Sequence, residues 1–239
     1  MSKRTEAWQK HWGTSYDSEF KIATIMEVLR RMSENGKLGR NIIDIGTGRI
    51  PVTILTDRRK HKIVDVDLCV ELMPHPFCHN RLPVKADIEE LVEPSFSTRR
   101  IMARIAKFLD VPFRGPSQIF DCAILSEILN YIDGPRVLKA LHPFIKPGGL
   151  VVILNGRRGD RELFVPNPPK DESDIIWALL DGGYQPMYVQ PFDERLIPDK
   201  KAAEIRMTLI TARRAEGPIN KLAWANEVIA SSSTIPTTA

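Results

Sequence analysis

The stretch Arg40-Asn-Ile-Ile-Asp-Ile-Gly-Thr-Gly-Arg-Ile-Pro51 constrains this chain more than any other. Ile42, Ile43 and Ile45 are β-branched and apolar, which predicts a short buried strand over 41–45. Gly46 and Gly48 follow at once. Glycine accepts a positive φ and carries no Cβ, so the backbone can turn sharply there and lie close against another group. Pro51 suits the first turn of a helix, and a short helix is expected over 51–58.

Strand, glycine turn and helix open a nucleotide-binding α/β domain. The turn is not the dinucleotide fingerprint, whose third glycine lets helix and strand pack closely around a pyrophosphate. Pro51 stands at that place and has no N–H to offer an anion. An adenosine ligand without a pyrophosphate is the better match. A second strand is predicted over 62–68, ending in Asp65-Val-Asp67. In such domains an acidic residue about 20 positions after the glycines accepts hydrogen bonds from ribose hydroxyls. Asp67 stands at that distance, and Asp65 is its competitor, deeper in the same strand. A third short strand over 82–87 ends in Asp87.

The block from Ile119 to Asn155 reads strand, helix, tight turn and strand: Phe-Asp-x-x-x-x-Ser126-Glu127-x-Leu, a helix over 136–145, then Lys146-Pro-Gly-Gly and Leu150 to Asn155. With Asp44-Ile-Gly-Thr-Gly, Asp67 and Asp87-Ile-Glu-Glu-Leu it makes four ordered matches across residues 41–155. Together they resemble the class I S-adenosylmethionine-dependent methyltransferases. Arg49 and Ile50 depart from that family, which has small residues there. The resemblance implies a Rossmann-like, seven-stranded, mostly parallel sheet with helices on both faces and an antiparallel last strand. It implies S-adenosyl-L-methionine as cofactor, held by Asp44, Gly46, Thr47, Gly48, Asp67, Leu68, Asp87, Ile88 and Ser126. Asp67 would hold the ribose and Asp87 the adenine amino group. Glu127 and Tyr131, just past the fourth strand, and His11 in the N-terminal arm are the candidate catalytic or positioning groups on the acceptor side.

The remaining chain is placed around that block. Residues 1–18, with Trp8, Trp12 and Tyr16, form an arm expected to cover the pocket as a lid, or to pack on the core. The methyltransferase domain is expected over 19–214, and a helix and disordered tail over 215–239. Helical apolar spacing runs from Ser18 to Met32 and again from Thr98 to Leu109, where a basic face alternates with Ile101, Ile105, Phe108 and Leu109. A helix over 173–181 and strands over 185–192 and 204–213 complete the sheet. The cluster His75-Pro-Phe-Cys78-His79 has no common zinc spacing, so no metal is expected. Cys69, Cys78 and Cys122 sit in unrelated contexts and read as reduced thiols of a cytoplasmic protein. No apolar run approaches the ~20 residues that span a bilayer. A net charge of +4 is too mild to indicate nucleic-acid binding. Asn167-Pro-Pro, after the fifth strand, is not at the place where base-methylating enzymes carry their Asn-Pro-Pro-Tyr. A small-molecule acceptor is therefore expected, methylated on oxygen or nitrogen. RNA or protein methylation and a non-catalytic scaffold stand as the alternatives.

Overall fold

The computed structural model describes residues 19–48, 51–56, 59–70, 79–91, 95–112, 118–156, 169–191 and 208–225. The elements run α1 (Glu19–Glu34), β1 (Asn41–Ile45), β2 (Lys62–Asp67), β3 (Arg81–Lys85), α2 (Ile88–Leu91), α3 (Phe96–Leu109), β4 (Phe120–Ser126), α4 (Gly134–Leu141), β5 (Ile145–Asn155), α5 (Glu172–Asp181), β6 (Tyr184–Pro191) and β7 (Thr208–Arg214). The seven strands form one sheet in the order β3-β2-β1-β4-β5-β7-β6. Pairs from β3 to β5 are parallel, and β7 is antiparallel to both of its neighbours. This is the Rossmann-like sheet with an antiparallel last strand that the family resemblance implies. Strand order reverses between β1 and β4, and ligands of open α/β sheets bind at the C-terminal ends of the strands beside such a switch.

Strand alternation divides the core between two faces. Ile43, Ile45, Val64 and Val66 face one layer, with Ile105 and Leu109 of α3, Val137, Leu138 and Leu141 of α4, and Ile175 and Leu179 of α5. Ile42, Ile63, Cys122 and Ile124 face the other, with Ile25 and Leu29 of α1. Such buried aliphatic side chains each contribute roughly 1.5–3 kcal/mol by leaving water. Period two puts Asp44 on the side of Ile42 and Asp65 on the side of Ile63, so both carboxylates point into the α1 layer.

Two motifs that carried the family resemblance hold the opposite, N-terminal edge of the sheet together. Asp121 Oδ2 accepts the backbone N–H groups of Arg40 at 3.0 Å and Asn41 at 2.8 Å, and its Oδ1 accepts Lys146 Nζ at 2.6 Å. A Cβ on Gly39 would lie 2.3 Å from Asp121 Cβ, so glycine is required for this approach. Ser33 and His61 form a buried pair at 2.6 Å, with His61 Nδ1 2.6 Å from the Gly39 carbonyl oxygen. The carbonyl can only accept, so Nδ1 is the donor of that bond. The pair joins the C-terminal turn of α1 to the entrance of β2, far from the ligand edge.

Three local expectations are corrected. Residues 51–56 form turns rather than a helix, with bonds from Ile54 N to Pro51 O and from Thr56 N to Thr53 O. The hydroxyl of Thr56 also donates to Thr53 O, at 2.7 Å, and such local bonds compete with the helical ladder. Lys146-Pro-Gly-Gly is a bulge inside β5 rather than a turn before it. The ladder to β4 steps from Phe120↔Ile145 to Cys122↔Leu150, and Gly148 takes φ +70. The third strand ends at Lys85, and Asp87 starts α2 instead.

Candidate active site

The glycine turn rises from the C-terminal end of β1. Gly46 and Gly48 have φ of +70 and +61, the left-handed region in which a side chain is strained. Gly46 N–H donates to Val66 O at 2.8 Å, tying the turn to β2. Gly48 N–H donates to Asp67 Oδ2 at 2.9 Å, while Asp67 Oδ1 accepts the Cys69 N–H at 2.7 Å. Asp67 thus stands at the end of β2, half-buried, holding the glycine turn on one side and its own strand end on the other. Thr47, between the glycines, is buried.

Asp65 is in a different situation from Asp67. It is buried and takes a two-pronged contact from Arg81, Nε to Oδ2 at 2.9 Å and Nη2 to Oδ1. The same Nη2 donates to Thr53 Oγ1 at 2.9 Å, and Thr53 donates its hydroxyl proton to Asp44 Oδ2 at 2.7 Å. Asp65 is committed to Arg81 inside the α1 layer, whereas Asp67 stands at the strand end, bonded to backbone N–H groups of the glycine turn and of Cys69. Asp44 is fully buried, and its Oδ1 has no hydrogen-bond partner. Burial first, then the Asp65 carboxylate, raise the Asp44 carboxyl to about 7.

Asp87 Oδ1 accepts the Glu89 N–H at 3.0 Å, and its carbonyl accepts from Leu91 at 2.8 Å, so it caps α2 from the end of β3. Ile88 is buried in the larger core cluster, and Leu68 packs on Cys69 and Tyr131. His11 lies outside the described residues, as do the arm 1–18, Arg49, Ile50, the His75–Cys78 segment and the loop 157–168. Among the described residues no group of three His, Cys, Asp or Glu side chains is arranged to hold a metal.

Sequence reasoning missed how the chain leaves β4. Ser126 ends the strand and Glu127 takes φ +58, a left-handed turn at a residue with a long side chain. Glu127 N–H continues the ladder to Leu154 O at 2.7 Å, and its Oε1 accepts the N–H of Gly156 just past β5. The turn throws Ile128 over the glycine loop: a Cβ on Gly46 would meet Ile128 Cδ1, Cγ1 and Cβ at 2.7, 2.8 and 2.9 Å. Tyr131, buried, packs against Cys69 and Leu68 past the end of β2. Asp133 N–H then reaches Glu89 on α2 at 2.9 Å. Residues 128–133 therefore form a strap over the ends of β1, β2 and β3 in that order. Beneath it Asn130, buried, donates to Gly156 O at 3.2 Å and accepts from Asn155 at 3.0 Å. The positive φ at Glu127 has no one-letter signature, which is why the strap was not legible.

The residues fit an adenosine-bearing cation better than a pyrophosphate. Beside the turn lie a buried β1 carboxyl with one unpartnered oxygen, a second carboxylate at the end of β2 and an apolar strap, and the anion-binding proline position offers no N–H. Comparison with known proteins agrees. A family model for methyltransferase domains matches residues 18–176, well over half of the chain. The chain belongs to the S-adenosylmethionine-dependent methyltransferase family. Among solved structures, this methyltransferase resembles the 1,6-didemethyltoxoflavin-N1-methyltransferase of Burkholderia thailandensis with bound S-adenosylhomocysteine, at TM-score 0.59 and 16% identity over 89% of this chain and 87% of that one. It also resembles the N-methyltransferase NodS of Bradyrhizobium japonicum WM9, again with S-adenosylhomocysteine, at TM-score 0.58 and 14% identity over 90% and 100%. The geranyl diphosphate C-methyltransferase of Streptomyces coelicolor A3(2) follows at TM-score 0.55 and 13% identity over 90% and 99%. Among curated proteins none matches the chain significantly. Among the described residues no helix is long and apolar enough to cross a membrane.

Proposed function

We propose that this methyltransferase transfers the methyl group of S-adenosylmethionine to an oxygen or nitrogen atom of a small molecule. The observation that carries the reading is the strap. Leu129, Asn130, Tyr131 and Ile132 are all buried where the chain leaves β4, so among the described residues the segment that covers the strand ends is packed and mostly apolar rather than basic. An enclosed, mostly apolar site with a few polar groups suits a compact ligand. A polymeric nucleic acid would need a basic groove and strongly salt-dependent binding. Two of the neighbouring structures act, by their names, on small molecules, one at nitrogen and one at carbon.

The cofactor supplies an already activated methyl on a positively charged sulfur, so the protein's task is orientation, which can supply up to ~10 kcal/mol of the barrier. In this reading Asp44, Gly46, Thr47, Gly48, Asp67, Leu68, Asp87, Ile88 and Ser126 hold the cofactor half. Glu127 positions rather than abstracts a proton: its carboxylate already accepts Gly156 N–H and ties the ends of β4 and β5 together. Tyr131 shapes the site from the strap, and His11 would act from the arm. Labelled S-adenosylmethionine, offered a metabolite extract in parallel with total RNA and total protein, tests the acceptor class. Label in a small molecule supports the reading. Label confined to macromolecules would replace it with the RNA or protein alternative, and no transfer at all would favour a scaffold.

A further inference from the structure

The buried group Asp44, Asp65, Arg81 and Thr53 carries one cation for two carboxylates. Asp44 and Asp65 are register partners on adjacent parallel strands, and their side chains share one face. The guanidinium forks onto Asp65 and sends its remaining contact to the Thr53 oxygen. Asp44 receives one neutral hydroxyl bond, and its other oxygen has no partner. The other titratable groups around Asp44 do not balance it. Asp67 on β2 adds a further negative field. Cys122 on β4, one strand away, is fully buried, and burial raises its thiol far above its ordinary value and keeps it neutral. Two ionised carboxylates and one guanidinium would leave a net negative charge in a site closed to water, and a proton is the cheapest relief. Burial raises the Asp65 carboxyl as well, but the guanidinium forks onto Asp65 while Asp44 has a single neutral donor, so the geometry favours Asp44 as the protonated partner. Asp44 lies directly before the Gly46–Gly48 turn, at the edge where the cofactor is proposed to bind.

We propose that Asp44 is the residue by which the site distinguishes the cationic cofactor from its neutral product: it releases its proton when S-adenosylmethionine binds and recovers one from solvent once the methyl has left. This rests on the cofactor reading above. Before transfer the sulfur carries a positive charge that makes up the missing cation, so the ionised form of Asp44 is favoured. After transfer the sulfur is a neutral thioether, the net negative charge returns, and Asp44 takes up a proton. The methyl forms its new bond to the acceptor as the C–S bond breaks, and the electron pair of that bond stays on sulfur. The acceptor's own proton, where it has one, leaves separately. Product cofactor is thereby held less tightly than substrate cofactor.

The test is isothermal titration of S-adenosylmethionine and of S-adenosylhomocysteine into the full chain at pH 7, in buffers of different ionisation enthalpy. Wild type is compared with Asp44→Asn, which keeps the shape and cannot titrate, and with Asp65→Asn, which removes the competing carboxylate without touching Asp44. Wild type should release more protons than Asp44→Asn on binding the cationic ligand, since only wild type has an Asp44 proton to lose. The excess should shrink with the neutral ligand and in Asp65→Asn, where Arg81 is free to hold Asp44 ionised. Relative to Asp44→Asn, wild-type affinity for S-adenosylmethionine should rise roughly ten-fold from pH 6 to pH 8. Equal proton release in wild type and both variants, or the same release with both ligands, would overturn the proposal while leaving the cofactor reading intact. Wild type binding neither ligand would overturn both.

Discussion

Replacing Gly46 by alanine probes the contact between the glycine turn and the strap. Alanine at φ +70 meets left-handed strain of roughly 1–2 kcal/mol. The new Cβ would also sit 2.7–2.9 Å from three atoms of Ile128, one of them Cβ, which a rotamer change cannot move away. Overpacking of that kind costs about 1–3 kcal/mol. The sum is a loss of about 2–5 kcal/mol, read by urea denaturation at fixed m-value. The two contributions can be separated. Ile128→Ala alone should cost about 1–2 kcal/mol, because the side chain is only partly buried. In the double variant the contacts with Cδ1 and Cγ1 are relieved while the Cβ contact and the strain stay, so the two losses should fall short of additivity by about 1–2 kcal/mol. Strict additivity, or a Gly46→Ala variant within 0.5 kcal/mol of wild type, would refute the contact and with it the path of the strap.

Other expectations follow from single observations. Asp121→Ala should destabilise the fold by about 2–3 kcal/mol, through loss of its two charge-assisted backbone bonds, with cofactor affinity unchanged; a large change in cofactor affinity in calorimetry would move Asp121 into the site. Asp65→Ala should cost about 3–5 kcal/mol because it leaves Arg81 buried without its partner, and a chemical-denaturation midpoint equal to wild type would contradict that pairing. His142 is held below its ordinary pKa, mainly by burial and then by Arg214. The unfolded chain therefore binds that proton first, so the His142 contribution is complete above about pH 6.5 and declines as pH falls below it. The stability–pH curve of His142→Gln should be flatter than wild type between pH 5 and 7, and parallel curves would exclude His142 as the source.

The parallel strands were legible because their apolar runs are short, β-branched and bounded by glycine or acidic residues, as at Ile42–Ile45 and Ile63–Val66. The helix α3 was legible from its period alone, and the structure adds Ser95 as its N-cap. What failed was local competition. Pro51 announced a helix, but the Thr56 hydroxyl turned back to the chain and Thr53 was drawn to Asp44. The contact of Asp67 with the glycine turn is in keeping with its distance from the glycines in sequence, and its ribose role remains a proposal. Arg81 was not legible, because its role depends on the register that sets β3 beside β2. Asp121 and Lys146 show the converse: both belong to the family's pattern, yet they hold the edge of the sheet opposite the ligand.

The central claim is that the glycine turn and Asp67 form the cofactor site of a methyltransferase. The most direct measurement is calorimetric titration of S-adenosylhomocysteine into wild type and Asp67→Ala, with circular dichroism to confirm that both are folded. Charged hydrogen bonds to ribose hydroxyls contribute about 1.5–3 kcal/mol each, so the variant should bind roughly ten- to a hundred-fold more weakly or worse, at one site per chain in wild type. Affinity in a folded Asp67→Ala equal to that of wild type would contradict the claim.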